Sequence, residues 1–139
     1  MQPFSDAEHL LSIGSAEEVY GIPGLPFTPA IRVVGNHELI FVAGVLGPPT
    51  SDEPSDSVEA EVIRAYRNLE RILVAAGGTL SDIVSMTKYV RDIEKNNAVV
   101  EAVTKTSLPH LTTTTTVEIV RLVPAALNFE VSAIAAVRT

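Results

Sequence analysis

The chain has 139 residues, of which 46% are hydrophobic; this length suffices for one domain with a sizeable core, so we expect residues 1–139 to form a single domain. A net charge of −7 argues against binding to a nucleic-acid backbone, and the absence of cysteine excludes disulfides, thiolate catalysis and thiolate metal sites. Because no apolar run approaches the ~20 residues of a membrane span and no signal peptide is seen, we expect a cytoplasmic protein without a nucleic-acid or membrane partner.

Residues 1–26 are predicted to be a lead-in arm that lies on the body of the protein. Residues 6–12 could form a turn of helix, and Ser15-Ala-Glu-Glu resembles the capped start of another. Five glycines and prolines between positions 21 and 29 then prevent regular structure. The alternative is a plain surface tail.

Residues 31–45 predict a β-hairpin. Gly35-Asn36 is a turn signal between two apolar runs, and the second run is almost entirely apolar. We therefore expect the second strand of the hairpin to be buried on both faces. The residues that follow, 47–56, have the composition of a loop.

The clearest helix is predicted over residues 58–76. Its apolar residues recur at spacings of three and four, which gives one apolar stripe, and Asp56 with Glu59 forms a capping box. Gly77-Gly78 ends the helix. We interpret the charged residues of the helix as a solvated face: Glu59, Glu61, Arg64, Arg67, Glu70 and Arg71.

A strand over residues 83–90 precedes a second helix, which begins at Asp92 as its cap and ends near Thr106, before Pro109. Its β-branched residues lower its helix propensity, so burial against the rest of the fold must hold it.

Two more strands, residues 111–120 and 127–137, are predicted on either side of Pro124. Period two places Thr114, Thr116 and Glu118 on one face of the first strand. In the second, Glu130 lies on the face opposite Phe129 and is the one carboxylate in a weakly polar strand. It either reaches solvent or works in a cleft.

This order of elements predicts an α+β fold: a mixed β-sheet with two helices packed on one face. The opposite sheet face is then uncovered within one chain. Because that face is rich in Ile, Val, Phe and Thr, we expect another copy of the chain to cover it.

Motifs for specific chemistry are few. The three histidines stand apart and no carboxylates cluster beside them, so we expect no metal; glycine patterns for phosphates and a nucleophilic-serine motif are lacking, so we expect no cofactor. Glu118 and Glu130 could approach each other across neighbouring strands.

Four stretches together resemble the Rid family, also called YjgF-type or reactive intermediate deaminase proteins and formerly L-PSP endoribonucleases. They are Phe27-Thr-Pro-Ala-Ile-Arg-Val, then Gly35-Asn36 through Leu39-Ile-Phe-Val-Ala-Gly44, then Ala75-Ala-Gly-Gly-Thr-Leu-Ser-Asp-Ile-Val84 with Thr87-Lys-Tyr-Val-Arg-Asp92, and finally Val117-Glu-Ile-Val-Arg-Leu-Val with Glu130-Val-Ser-Ala-Ile-Ala. The resemblance implies a chorismate-mutase-like fold, a homotrimer and three ligand clefts between subunits.

The departures from the family pattern bear on function. Glu130 stands at the family's catalytic glutamate, which positions water or relays protons. At the place of the arginine that clamps the substrate carboxylate, this chain has Thr114. The other expected substrate-binding positions also differ from the family, apart from the glycine: Phe27 for tyrosine, Ala43 for serine, Gly44, Val100 for asparagine and Thr116 for the frequent cysteine.

Two functions remain open. The first is a divergent Rid-type enzyme, of deaminase or hydrolase type, that acts on a small and less charged enamine or imine rather than on 2-imino acids. The second is a trimeric small-molecule-binding protein without catalysis. The old ribonuclease label is disfavoured, because the chain is acidic and has no His or Lys cluster.

Overall fold

A four-stranded mixed sheet with two long helices on one face forms the body of the computed structural model, which describes residues 8–139. The sheet order is β3-β6-β4-β5, with β4 and β5 parallel and the other neighbours antiparallel. The elements are β1 (Leu10–Ser12), α1 (Ala16–Tyr20), β2 (Ile31–Val33), β3 (His37–Val45), α2 (Val58–Ala75), β4 (Ile83–Arg91), α3 (Ile93–Ser107), β5 (Thr113–Ile119) and β6 (Phe129–Arg138).

The core lies between the two helices and the sheet. On α2 the apolar stripe buries Val62, Leu69 and Leu73, and on the sheet Phe129 and Val131 meet it. Burial of such side chains stabilises the fold by roughly 1.5–3 kcal/mol each. The helix begins at Val58, as predicted. Its N-cap is Ser57 instead of Asp56, because the Ser57 side chain accepts the bond from Ala60 N.

The second helix agrees with the sequence. Asp92 is its N-cap and accepts a bond from Lys95 N, and the helix ends at Ser107, one residue beyond the prediction. Asp92 adopts a left-handed conformation, with φ 47°, in which an aspartate is tolerated better than most residues. The poor helix formers Val100 and Val103 are buried, which supplies the tertiary support that the sequence requires.

The predicted hairpin is wrong. Strand β2 pairs with β1, so that Ile31 lies opposite Ser12, whereas β3 pairs with β6. Gly35 does turn the chain, with φ 75°, but the turn leads from one sheet to another. A local turn signal cannot tell which strand the chain will join after it turns.

The described part of the arm, from residue 8 onward, packs on the body. Ser15 caps α1 as its sequence predicts, accepting a bond from Glu18 N. Leu10–Ser12 is a strand rather than a turn of helix, and positions 6 and 7 of that predicted turn lie outside the described residues. His9 and Leu10 are 3% and 1% exposed, so the described arm contributes to a buried layer.

One face of the sheet is open. The expectation that β3 is buried on both sides is wrong for a single chain: Leu39 is 51% and Phe41 72% exposed, while Val42 points to the core. Ile134 of β6, which lies opposite Phe41, is 36% exposed on the same face. The exposed side chains in the middle of this open face are therefore apolar.

Candidate functional site

The Glu130 carboxylate lies against the backbone of Gly44. A Cβ atom added to Gly44 would stand 2.5 Å from Glu130 Cδ and 2.6 Å from Oε2, closer than atoms can approach. A side chain at position 44 would therefore force the Glu130 carboxylate to move from this place. Ala43 and Gly44 are both exposed. They lie between Val42 and Val45, where the pairing of β3 with β6 changes register.

Glu130 belongs to the open sheet face. It pairs with Tyr89 of β4, and the neighbours Lys88 and Val90 point to the helix side, where they are 1% and 0% exposed. Because side chains alternate along a strand, Glu130 points away from the helices. Together with Ala43 and Gly44 it forms the first half of the candidate site.

Thr114 and Thr116 lie on the other sheet face. In the parallel pair of β4 and β5 they stand beside Met86 and Lys88, which point towards the helices. A single chain therefore does not bring either threonine to Glu130. The two groups can meet only if two chains contribute to one cleft.

Glu118 does not form the pair with Glu130 that its position allowed. Strand β4 separates their strands, and Glu118 accepts a hydrogen bond from Ile93 N at the start of α3, 3.0 Å away. It is an exposed helix-capping carboxylate.

A cavity of about 370 Å³ opens beside Thr114. Its walls come from the arm, the C-terminal turn of α3 and the segment leading into β5, with Leu25, Leu108 and Leu111 as apolar lining. Thr114 Oγ1 and Thr112 Oγ1 are 2.6 Å apart and share a hydrogen bond. The Thr114 hydroxyl is thus engaged with its neighbour.

Two cations near this cavity were missed at the sequence level. Lys88 is buried on the helix side and its Nζ pairs with the carboxylate of Glu101, which lines the cavity; Lys105, exposed, lines it too. Glu101 Oε2 is buried without a hydrogen-bond partner among residues 8–139. The alternation of β4 could have revealed Lys88, because it falls between Met86 and Val90 on the inward face.

His110 also lines the cavity, and a hydrogen bond to the backbone of β4 fixes its ring. Its Nε2 lies 2.9 Å from the carbonyl oxygen of Ile83. Burial lowers the pKa of His110 below 6.5, although the bond to Ile83 opposes this effect. The ring is therefore neutral at pH 7, and a bond to a carbonyl requires the proton to be on Nε2.

The two remaining predicted site residues, Phe27 and Val100, lie outside the cavity beside Thr114. Phe27 is half-buried in a neighbouring cavity between the arm and Leu111, with its ring edge-on to Tyr20 at 6.1 Å. Val100 has no exposed surface and belongs to the core. In a single chain Val100 is thus enclosed by the core and does not line the cavity beside Thr114; its expected contact with a ligand stays a prediction.

Within residues 8–139, no group of three or more His, Asp or Glu side chains is placed to hold a metal ion. Nor does that part of the chain contain a helix with the length and apolar character needed to cross a membrane.

The mixed sheet with helices on one face defines the chorismate-mutase-like class of α+β folds, which solved structures of YjgF-type proteins share. The family model described as Endoribonuclease L-PSP matches residues 23–137. Since the match covers most of the chain, the chain belongs to that family, which is also called the Rid or YjgF family.

The chain is similar to several individual proteins of this family. A RutC family protein from Pyrococcus abyssi is 36% identical over 70 residues, 49% of this chain and 53% of the relative. Reactive Intermediate Deaminase A, chloroplastic, from Arabidopsis thaliana is 34% identical over a stretch that covers 49% of this chain and 36% of the length of that protein. A crystal structure of a YjgF/YER057c/UK114 family member from Mycobacterium tuberculosis is 29% identical, with TM-score 0.64, covering 92% of this chain and 99% of that one. The chain spans about half the length of the curated relatives it matches.

Proposed function

We propose that this chain is a divergent Rid-family enzyme whose clefts lie between the subunits of a homotrimer, each chain being a single domain over residues 1–139 with residues 1–26 as its arm. In each cleft Glu130 of one chain faces Thr114 and Thr116 of the next. The substrate is a small enamine or imine that carries less charge than a 2-imino acid. The observation that carries the proposal is the pairing of a retained acid with a hydroxyl at the place of the family arginine.

Glu130 supplies the proton chemistry in this proposal. Its side chain is half-buried and its carboxylate lies against the exposed Gly44, so a substrate or a water molecule can reach it from the open face. A carboxylate positioned there can accept a proton from water or pass one to a carbon or nitrogen of the substrate. This role follows the family resemblance of Glu130 and is the part that needs a direct test.

The substrate class follows from the charges beside Thr114. Lys88 is already paired with Glu101, and Lys105 is an exposed ammonium without the planar fork of an arginine. Loss of a charged clamp weakens carboxylate binding by about 2–3 kcal/mol, which is more than tenfold in affinity. The leucines of the cavity wall favour an apolar or aromatic substrate body instead.

The test is ammonia release from a panel of imines that differ in charge. We expect turnover of neutral or aromatic members, a loss of about 10²-fold or more in Glu130→Ala, and little turnover of 2-iminobutyrate. Thr114→Arg should improve the kcat/KM for 2-iminobutyrate at least tenfold by restoring the clamp. Turnover of 2-iminobutyrate by the wild type at rates usual for the family would refute the assigned substrate class.

The second candidate is a binding protein without catalysis. The loss of the arginine while the fold is kept favours it, because a cleft can retain a ligand after it has lost its chemistry. Saturable binding of a panel member to the wild type, with no turnover of any member, would select this candidate over the enzyme.

A further inference from the structure

A separate pocket, of about 80 Å³, lies between α2 and the loop that follows β3. Three arginines of α2 line it: Arg64, Arg67 and Arg71. Their spacing of three and four residues places them on one face of the helix. The rest of the wall consists of Pro48, Thr50, Glu53 and Asn68.

Arg64 is a buried cation without a counter-ion. It is 5% exposed, and its Nε donates to the carbonyl oxygen of Gly47 at 3.0 Å. Its Nη2 is buried and has no hydrogen-bond partner among the described residues, and none of the ion pairs found within residues 8–139 includes it. A guanidinium removed from water without a compensating anion is costly, so an additional negative charge beside Arg64 would stabilise the site.

The neighbouring arginines do not supply that charge. Arg67 pairs with Glu53 at the edge of the pocket, where their side chains are 39% and 44% exposed. Arg71 is exposed and donates to Asn68 Oδ1 at 3.1 Å. Three guanidinium groups and one carboxylate leave a local charge of +2 (3 − 1) in a chain whose net charge is −7.

We propose that this pocket binds a phosphate group, either as inorganic phosphate or as the phosphate of a small monoester. A doubly charged oxyanion balances the local +2, and guanidinium groups recognise phosphate through paired hydrogen bonds. Thr50 Oγ1 accepts a bond from Glu53 N, so its O–H is available to donate. The pocket is far smaller than the ~300–1,000 Å³ of sites that enclose drug-sized ligands, so it holds the anionic group alone.

A bound phosphate braces the segment that leads away from the candidate active site. Arg64 holds the carbonyl of Gly47, and Asn68 Nδ2 holds the carbonyl of Leu46 at 2.8 Å. This segment begins two residues after Gly44, which contacts Glu130. Phosphate binding therefore stiffens the end of β3.

The experiment is isothermal titration calorimetry of the full chain with inorganic phosphate and, separately, with glycerol phosphate, at fixed ionic strength in chloride. We expect one saturable site per chain. Arg71→Gln should weaken binding roughly tenfold, and Arg64→Gln at least as much. Arg32→Gln is the matched control, because Arg32 is an exposed arginine of β2 outside the pocket and its loss changes the net charge equally.

Since Arg64 is buried, Arg64→Gln is interpreted only if its circular dichroism spectrum equals that of the wild type; Arg71→Gln, on the surface, carries the test otherwise. Binding of both ligands supports recognition of the phosphate group itself; binding of inorganic phosphate alone points to the free anion, and binding of glycerol phosphate alone points to a phosphorylated metabolite. No binding of either ligand to the wild type, or equal weakening by Arg32→Gln, would overturn the proposal. Imine turnover is not involved, so this result is independent of the proposed enzyme activity.

Discussion

Glu130 depends on a missing side chain across the sheet. A Cβ on Gly44 would overlap its carboxylate and displace the Glu130 side chain, so the glycine lets the acid take its present position. The sequence shows both residues, but 86 positions of chain separate them (130 − 44). Their contact becomes visible only once β3 is known to pair with β6.

His110 makes the stability of the fold depend on pH. Burial lowers the pKa of His110 below its usual 6.5, so below that pH the unfolded chain takes up a proton that the folded chain resists. The free energy of unfolding should therefore fall as the pH drops from about 8 to about 5.5. Urea unfolding at both pH values should show a smaller loss in His110→Gln than in the wild type.

Glutamine is chosen at position 110 because its amide can still donate to the carbonyl of Ile83. His37→Gln is the control: His37 is exposed, and its removal should leave the pH dependence of the wild type intact. If the wild type and His110→Gln lost the same free energy over this range, the neutral buried ring would not be the cause.

Among the elements, α2 is fastened to β6 by a buried carboxylate. Glu61 is 2% exposed and accepts hydrogen bonds from Asn128 N, Asn128 Nδ2 and Phe129 N, at 2.7, 3.0 and 2.9 Å. These bonds set the position at which β6 begins. They also fix the alternation that turns Glu130 to the open face.

Glu61→Ala should lower the free energy of unfolding by about 3 kcal/mol, because it leaves one buried donor, Phe129 N, and two part-buried donors of Asn128 without an acceptor at about 1–3 kcal/mol each. Glu61→Gln keeps the shape and one acceptor oxygen, so it should cost clearly less. Chemical unfolding measures both. Glu70→Ala, an exposed change on the same helix, should stay within about 0.5 kcal/mol of the wild type, and an equal loss there would show that the bonds to β6 are unimportant.

The periodic features of these elements could be predicted, and the exceptions could not. The stripe of α2, the Asp92 cap and the face of Glu130 follow from spacing alone. Glu61 and Arg64 fall on the polar side of that stripe, yet they are buried at 2% and 5% because the loop after β3 and the start of β6 cover them. Such cover is contributed by residues distant in the chain, which periodicity does not report.

The same limit applies to the candidate site. The sequence identifies Glu130 and Thr114 through the family pattern, but their placement on opposite sheet faces depends on the strand order. The family pattern predicts Val100 in the cleft, whereas the phase of α3 turns its side chain into the core of the single chain.

For the molecule as a whole, the open sheet face controls assembly in our proposal. Phe41→Asp should convert the homotrimer to a monomer, since it places a charge on the most exposed aromatic side chain of that face, 72% accessible. Size-exclusion chromatography with light scattering gives the mass. Val74→Asp, an equal change at an exposed position of α2, should leave the mass unaltered. A wild type with the mass of one chain would contradict the proposed covering of the face.

The separation of Glu130 from Thr114 has a genetic consequence. In the homotrimer that we propose, each chain would lend its acid to one cleft and its hydroxyl to another, so every chain would take part in two of the three sites. A chain damaged on both faces would then silence two sites of any ring that it entered, and one defective allele would act dominantly. Chains damaged on different faces would, when mixed, rebuild some intact sites between them.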